Sequence, residues 1–393
     1  MEGQTIKHYA YRLATLSVFR GILKDKTIAS LFAYLKSEAD LVEKLSLYGA
    51  FVSSLVEGDG SLSATLRRVV CENENAYIKR IAAGKPVSAS LKETVDAELR
   101  LFTDLSLLSA KDLCESLAYV NFLPEFDNEP TDFGAFYEER VKDVSRYGYG
   151  IFATAGMFRV EGDQILPVEA PDPITFDNLI GYQTEHDQVI SNTKALVEGR
   201  PAANVLLCGD AGTGKSSTVK ATANLLFSQG VRLIELRKDQ LTSLPAVMGH
   251  IAAHPLKFII FIDDLSFNKN DDSFSMLKAA LEGSASAKAS NAVIYATSNR
   301  RHIVKESFSD RNGDDVHRND TMQELMSLSD RFGLTVYFEK PNKSLYLEIV
   351  HALAERQGVQ MEQAELDRRA EAYALGKGNR SPRAAEQFVQ SLL

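Results

Sequence analysis

"NVLLCGDAGTGKSSTVKATANLL", residues 204–226, passes from an apolar run to a knot of glycines and then to a helical pattern. Gly209, Gly214, Lys215 and Ser216 fit the spacing G-x-x-x-x-G-K-[ST]. They stand after a strand-like run and before a helix-like one, which is the context a phosphate-binding loop requires. Glycines let the backbone wrap closely enough for its N–H groups to face phosphate oxygens, and the helix N-terminus adds a favourable dipole. A lysine here reaches the β and γ phosphates, and a following serine ligates magnesium. Residues Gly209, Asp210, Ala211, Gly212, Thr213, Gly214, Lys215, Ser216 and Ser217 are therefore the expected cradle for a nucleoside triphosphate. A glycine-rich turn with a surface lysine would explain the composition, but not the coincidence of four fixed positions with that context.

Working outward, "NVLLCG", "VRLIELRK", "FIIFIDDL", "NAVIYATSN" and "LTVYFEK" are five strand candidates separated by helix-patterned segments such as "SSTVKATANLLFSQG" and "SFSMLKAALEG". Continuous apolar runs of this kind are buried on both faces, as in a parallel sheet. "FIIFIDDL" ends in Asp263 and Asp264: the first acid can hold a magnesium shell and the second can polarise an attacking water, although a strand ending in an acidic turn looks the same. Asn299 ends "NAVIYATSN" and can reach the γ-phosphate or its water. Arg331 precedes the fifth strand, and a guanidinium suits bidentate contact with phosphate. Arg383 lies in the first turn of the last helix, an awkward end for a cation unless an anion compensates it.

Before residue 170 the pattern differs. From Ile6 to about Asn121 apolar residues recur three and four apart, which predicts a helical array. Its signal stops at the prolines of "FLPEFDNEPTDFGAFYEE", and "MFRVEGDQILPV" reads as a hairpin turning at Gly162. Pro171 and Pro173 make "EAPDPITF" a linker. Three domains are expected: 1–170 mainly helical, 171–340 the nucleotide-binding core and 341–393 a small helical unit whose last helix is capped by Ser381 with Pro382 at its first position.

Composition narrows the function classes. With 45% apolar and 25% charged residues the 393-residue chain is an ordinary globular protein, and a net charge of −9 gives no support to coating nucleic acid by bulk electrostatics, though it allows a local basic groove. Cys71, Cys114 and Cys208 are widely spaced without metal-ligand spacing, which predicts free thiols in a reducing, cytoplasmic setting. No apolar run approaches bilayer length. His302 and His317 lack partners at metal spacing, and the acidic stretch "SDRNGDDVHRND" lacks the order of a calcium loop.

The order of "LIGY", "GDAGTGKSS", "FIIFIDDL", "ATSN", "SDRF" and "RSPR" resembles an AAA+ ATPase, and "LLCGDAGTGKSSTVKA", "DDLSF", "YATSNRRH" and "SLSDRFGL" are similar to the DUF815 family of bacterial proteins. The resemblance covers roughly residues 172 to 393. It implies an α/β P-loop NTPase fold with a five-stranded parallel sheet in the order 5-1-4-3-2 and a helical lid, binding ATP with Mg2+. It further implies that Lys215 and Ser216 are the Walker A residues and Asp263 and Asp264 the Walker B pair. By the same resemblance Asn299 is sensor one, Arg331 an arginine finger, Arg383 sensor two, and Ile180 with Tyr182 the segment against the adenine. Most AAA+ motors have glutamate where this chain has Asp264, and its lid has three helices instead of four. The resemblance thus implies ATP hydrolysis in a homo-oligomer that acts on an unknown protein partner through the N-terminal half. Two alternatives stay open: a slow ATP-dependent switch, or a helicase-loader-like protein using the "NRR" run at 299–301.

Overall fold

The computed structural model describes residues 6–114, 122–265, 277–278, 281, 290–299 and 331–393. The chain divides into two compact units, Met1–Thr154 and Ala155–Leu393.

The first unit is the helical array that the apolar periodicity predicts. Its helices are α1 (Ile6–Ala14), α2 (Lys26–Lys36), α3 (Leu41–Glu57), α4 (Leu62–Glu72), α5 (Ala76–Ala82), α6 (Ala89–Ser106), α7 (Ala110–Cys114), α8 (Phe133–Lys142) and α9 (Val144–Tyr147). Short polar side chains set their starts: Asp25, Asp40, Ser61, Asn75, Ser88 and Asp132 each accept a backbone N–H of the first turn. Asp132 thereby starts a helix inside the stretch where prolines were expected to end helical structure. Phe19, Phe102, Phe133 and Tyr137 pack edge-on at the centre. Glu98 is buried, and its carboxylate accepts the N–H groups of Ser17, Val18 and Phe19, closing the turn after α1.

The second unit is built on one sheet of seven strands: β1 (Met157–Glu161), β2 (Gln164–Pro167), β3 (Val205–Gly209), β4 (Val231–Glu235), β5 (Lys257–Ile262), β6 (Ala292–Ser298) and β7 (Leu334–Phe338), in the order β2-β1-β4-β5-β6-β3-β7. All neighbours are parallel except β1 with β2. The five strands expected from their apolar runs are β3 to β7, and counted among themselves they stand as 5-1-4-3-2, the order of the AAA+ class. The sheet is larger than expected because the hairpin joins it: Met157 pairs with Leu233 and Phe158 with Ile234. The hairpin therefore belongs to the second unit, and the division falls after Thr154, not after residue 170.

Helices α10 (Gln183–Val197), α11 (Lys215–Leu226) and α12 (Leu244–Ile251) accompany the sheet. Of the segment "SFSMLKAALEG" only Leu277, Lys278 and Leu281 are described, all helical. The proline-containing stretch before α10 is strapped down, since Asn224 Nδ2 on α11 donates to Asp172 O and Ile174 O. Beyond β7, α13 (Lys343–Arg356), α14 (Gln363–Lys377) and α15 (Pro382–Gln390) form the expected three-helix unit around Tyr346, Ile349 and Phe388, with Ser381 accepting the Ala384 N–H at 3.2 Å.

Gly209 closes β3 at a φ of 146°, and a Cβ there would lie 2.0 Å from Phe338 O on β7. Only glycine permits this approach. Gly209→Ala should therefore lower the unfolding free energy by roughly 3 kcal/mol in urea titrations.

Candidate functional site

The site lies at the C-terminal ends of the parallel strands, and the register assembles it. Cys208 pairs with Ser298, and Ile262 pairs with Ala296. One residue beyond each pair, Gly209 comes level with Asn299, and Asp263 with Thr297. Side chains distant in sequence are thus delivered to one edge by main-chain hydrogen bonding alone.

Between β3 and α11 the loop turns on Gly212 and Gly214, at φ of 78° and 91°. Thr213 Oγ1 donates to Asp210 O at 2.9 Å, closing the loop on itself. Lys215, the first residue of α11, is 5% exposed. Its Nζ donates to Gly209 O at 2.9 Å, Asp210 O at 2.7 Å and Asn299 Oδ1 at 3.0 Å. Burial lowers its pKa from the ordinary lysine value, and the carboxylates of Asp210, Asp263 and Asp264 oppose that shift. Beside it, Cys208 is buried at the strand end, its thiol pushed up to about 11 by desolvation. All three cysteines are free.

The two acids that follow β5 are held differently. Asp263 Oδ1 accepts Ser216 Oγ at 2.6 Å, Thr297 Oγ1 at 2.5 Å and the Asp264 N–H at 3.1 Å. Asp264 stands at a φ of 51°, and Leu265 returns to the ladder by donating to Thr297 O. Asn299 Nδ2 donates to Asp264 Oδ1 at 2.8 Å. One amide therefore joins the lysine to the second acid. Asp264 and Tyr182 are the two non-glycine residues with positive φ among the described residues, a conformation that concentrates at functional sites.

Tyr182 reaches the same region from the start of α10. Its hydroxyl donates to Glu339 O at 2.6 Å, and its ring packs 5.3 Å from that of Phe338, the residue opposite Gly209. Ile180 packs against the core of the three-helix unit. Arg383, in the first turn of α15, donates its backbone N–H to Gly212 O at 3.3 Å, and its Cβ would be 3.1 Å from a Cβ at Gly212. The last helix thus begins against the glycine loop.

Arg331 is placed elsewhere. It precedes β7, whose Leu334 pairs with Val205 and whose Phe338 pairs with Gly209. Four strand steps separate those ends, about 13 Å, so Arg331 enters the sheet at the end opposite the glycine loop. The expected site residues Gly209 to Ser217, Asp263, Asp264, Asn299 and Arg383 are together; Arg331 is not among them. Arg300, Arg301, His302 and the acidic stretch 309–320, which contains His317, lie outside the described residues.

Thr297 is the residue that the sequence reading missed. It is buried, and its hydroxyl touches both acids' segments. Its signal was available only by aligning "ATSN" with "FIDD" across the sheet, which needs the register.

His186, one turn into α10, is buried between the rings of Phe176 and Phe338, at centroid distances of 5.1 and 6.2 Å. Burial drives its pKa down to about 4. The native state therefore binds this proton less readily than the unfolded chain, so the stability His186 confers is complete above about pH 6.5 and is lost as pH falls towards 4. The loss is roughly 3 kcal/mol at most. Urea midpoints measured between pH 7 and 4 should fall for the native protein and fall less for His186→Phe.

The side chains able to ligate a cation, Ser216, Asp263 and Asp264, offer only oxygen, which suits a polyphosphate with a hard cation. Among the described residues no group of three or more His, Cys, Asp or Glu could hold a metal ion, and no helix is long and apolar enough to cross a membrane.

No curated protein matches the chain. Among solved structures, the RuvB Holliday junction branch migration motor of Thermotoga maritima is similar at 18% identity, covering 56% of this chain and 63% of its own, with a TM-score of 0.38. A variant of the same motor is similar at 17% identity, covering 56% and 64%, with a TM-score of 0.37. The chain thus spans less than two thirds of that motor's length. The family model described as protein of unknown function (DUF815) matches residues 153–393, more than half of the chain, and with the AAA+ strand order and loop in place the protein belongs to the DUF815 family.

Proposed function

We propose that this protein binds ATP with Mg2+ and hydrolyses it to ADP and phosphate as an oligomer, using the cycle to remodel or switch a protein partner. The observation that carries the reading is the position of Lys215. Its ammonium sits inside a glycine loop at a helix N-terminus, held by two loop carbonyls and Asn299, next to the Ser216–Asp263 pair. A buried cation in that setting favours an anionic ligand, because a phosphate returns the charge compensation that burial removed.

In this reading the N–H groups of 209–217 and Lys215 hold the phosphates, and Ile180 and Tyr182 lie against the base. Ser216 and Asp263 would hold Mg2+, which when bound neutralises charge on the phosphate oxygens. Asp264 orients and deprotonates the attacking water, while Asn299 fixes that carboxylate and meets the γ-phosphate. Arg383, carried on the helix that starts at Gly212, senses the bound nucleotide and couples it to the three-helix unit. The distance of Arg331 from its own loop supports a role on a neighbouring copy, where it would complete the next site.

A second reading has its own support. Asp264 is one methylene shorter than the glutamate usual at this place, and its Oδ1 is already engaged by Asn299. Both features favour a slow, switch-like protein that holds ATP and turns it over little.

Thermal melting with ATP and Mg2+ should raise the transition of the native protein and leave that of Lys215→Ala unchanged; no shift for the native protein would refute nucleotide binding. Specific ATPase activity should drop on dilution and fall at least tenfold in Arg331→Ala. Activity per chain that is independent of dilution would rule out a finger supplied by a neighbour, and turnover near background alongside a full thermal shift would select the switch.

A further inference from the structure

We propose that Thr297 is a positioning residue that sets both acids after β5, an inference that rests on the ATPase reading above. Its single hydroxyl has one proton and two lone pairs, and both kinds of contact are in use. It donates to Asp263 Oδ1 at 2.5 Å and accepts the Asp264 N–H at 2.9 Å. The first contact fixes the carboxylate that also receives Ser216; the second fixes the peptide that carries Asp264 at its φ of 51°.

Three features make Thr297 suited to this work. It is 2% exposed, so its bonds do not compete with solvent. It lies within β6, and the pairing of Ile262 with Ala296 sets its height beside Asp263 to within the precision of a parallel ladder. A β-branched side chain in a strand has few χ1 choices, which keeps the hydroxyl on its target. The main chain reinforces the arrangement, because Leu265 donates to Thr297 O at 2.7 Å. Asp264 is thus bracketed, its own N–H bound to the Thr297 side chain and the next N–H bound to the Thr297 carbonyl. The left-handed residue between them cannot relax towards ordinary strand geometry without breaking one of these bonds.

The consequence is that the two acids move as one unit with β6. Loss of the hydroxyl would free the Asp263 carboxylate to rotate and let the Asp264 peptide shift, displacing one carboxylate from the Ser216 pair and the other from Asn299. The Asp264 N–H keeps a second acceptor in Asp263 Oδ1, so the fold should tolerate that loss.

The test uses full-length Thr297→Val, which keeps the shape and removes the hydroxyl, and Thr297→Ser, which keeps the hydroxyl. Thr297→Val should reduce kcat for ATP on the order of 10–100-fold with KM changed less than about threefold, and Thr297→Ser should recover most of the loss. Calorimetric titration with ATP, in Mg2+ and again in EDTA, gives a readout independent of turnover. The gain in affinity from Mg2+ should shrink in Thr297→Val and be retained in Thr297→Ser, while binding in EDTA stays the same. A Thr297→Val protein with native kcat and native Mg2+ dependence overturns the positioning role and leaves the ATPase reading intact. A native protein that binds ATP but does not turn it over removes the hydrolytic reading, and the titration alone then decides for or against Thr297. A native protein without ATP binding overturns both.

Discussion

The register of three parallel strands is the constraint on which the rest of this molecule depends. Parallel pairing is fixed by main-chain hydrogen bonds, and β3, β5 and β6 are locked to one another because Cys208 meets Ser298 and Ile262 meets Ala296. A slip by one residue would turn every side chain to the opposite face. It would remove Asn299 from Lys215 and Thr297 from Asp263 together. These strands are buried on both sides, so a slip would also misfit the side-chain packing on either face. Stability and site geometry therefore share one cause.

Much of the second unit was legible in its sequence because the signals are local and strong. Residues 205–209 and 258–262 are unbroken apolar runs, and the glycines at 209, 212 and 214 all adopt the positive φ that the loop needs. Asp263 and Asp264 stood out as paired acids at a strand end. What escaped detection is non-local. Nothing in "MFRVE" announces that Met157 will pair with Leu233, and an alternating hairpin reads the same whether it stands alone or joins a sheet. Thr297 escaped for a related reason: a threonine in a strand is ordinary until its height relative to another strand is known. Phe133–Lys142 was overlooked because prolines upstream masked a helix whose start depends on one side chain, Asp132.

Lys215, Asn299 and Asp264 form a short chain of contacts in which one amide uses its oxygen for a cation and its nitrogen for an anion. The orientation of that amide is determined by the charges on either side, since the reverse orientation would set the NH2 against the ammonium and the oxygen against the carboxylate. Lys215 and Asp264 are therefore joined through a group whose orientation the two of them fix. This polar chain rests on the scaffold of the sheet and requires no movement of the backbone.

The placement of the hairpin has a practical consequence for dissecting the protein. Met157, Phe158 and Arg159 pair with Leu233, Ile234 and Glu235, so cutting the chain at the prolines near 171, where composition suggests a natural break, would leave that edge of β4 with unpaired peptide groups. Bare strand borders of this kind invite self-association. A shortened version beginning near Ala155 retains that cover, and is the piece to express when the second unit is wanted alone.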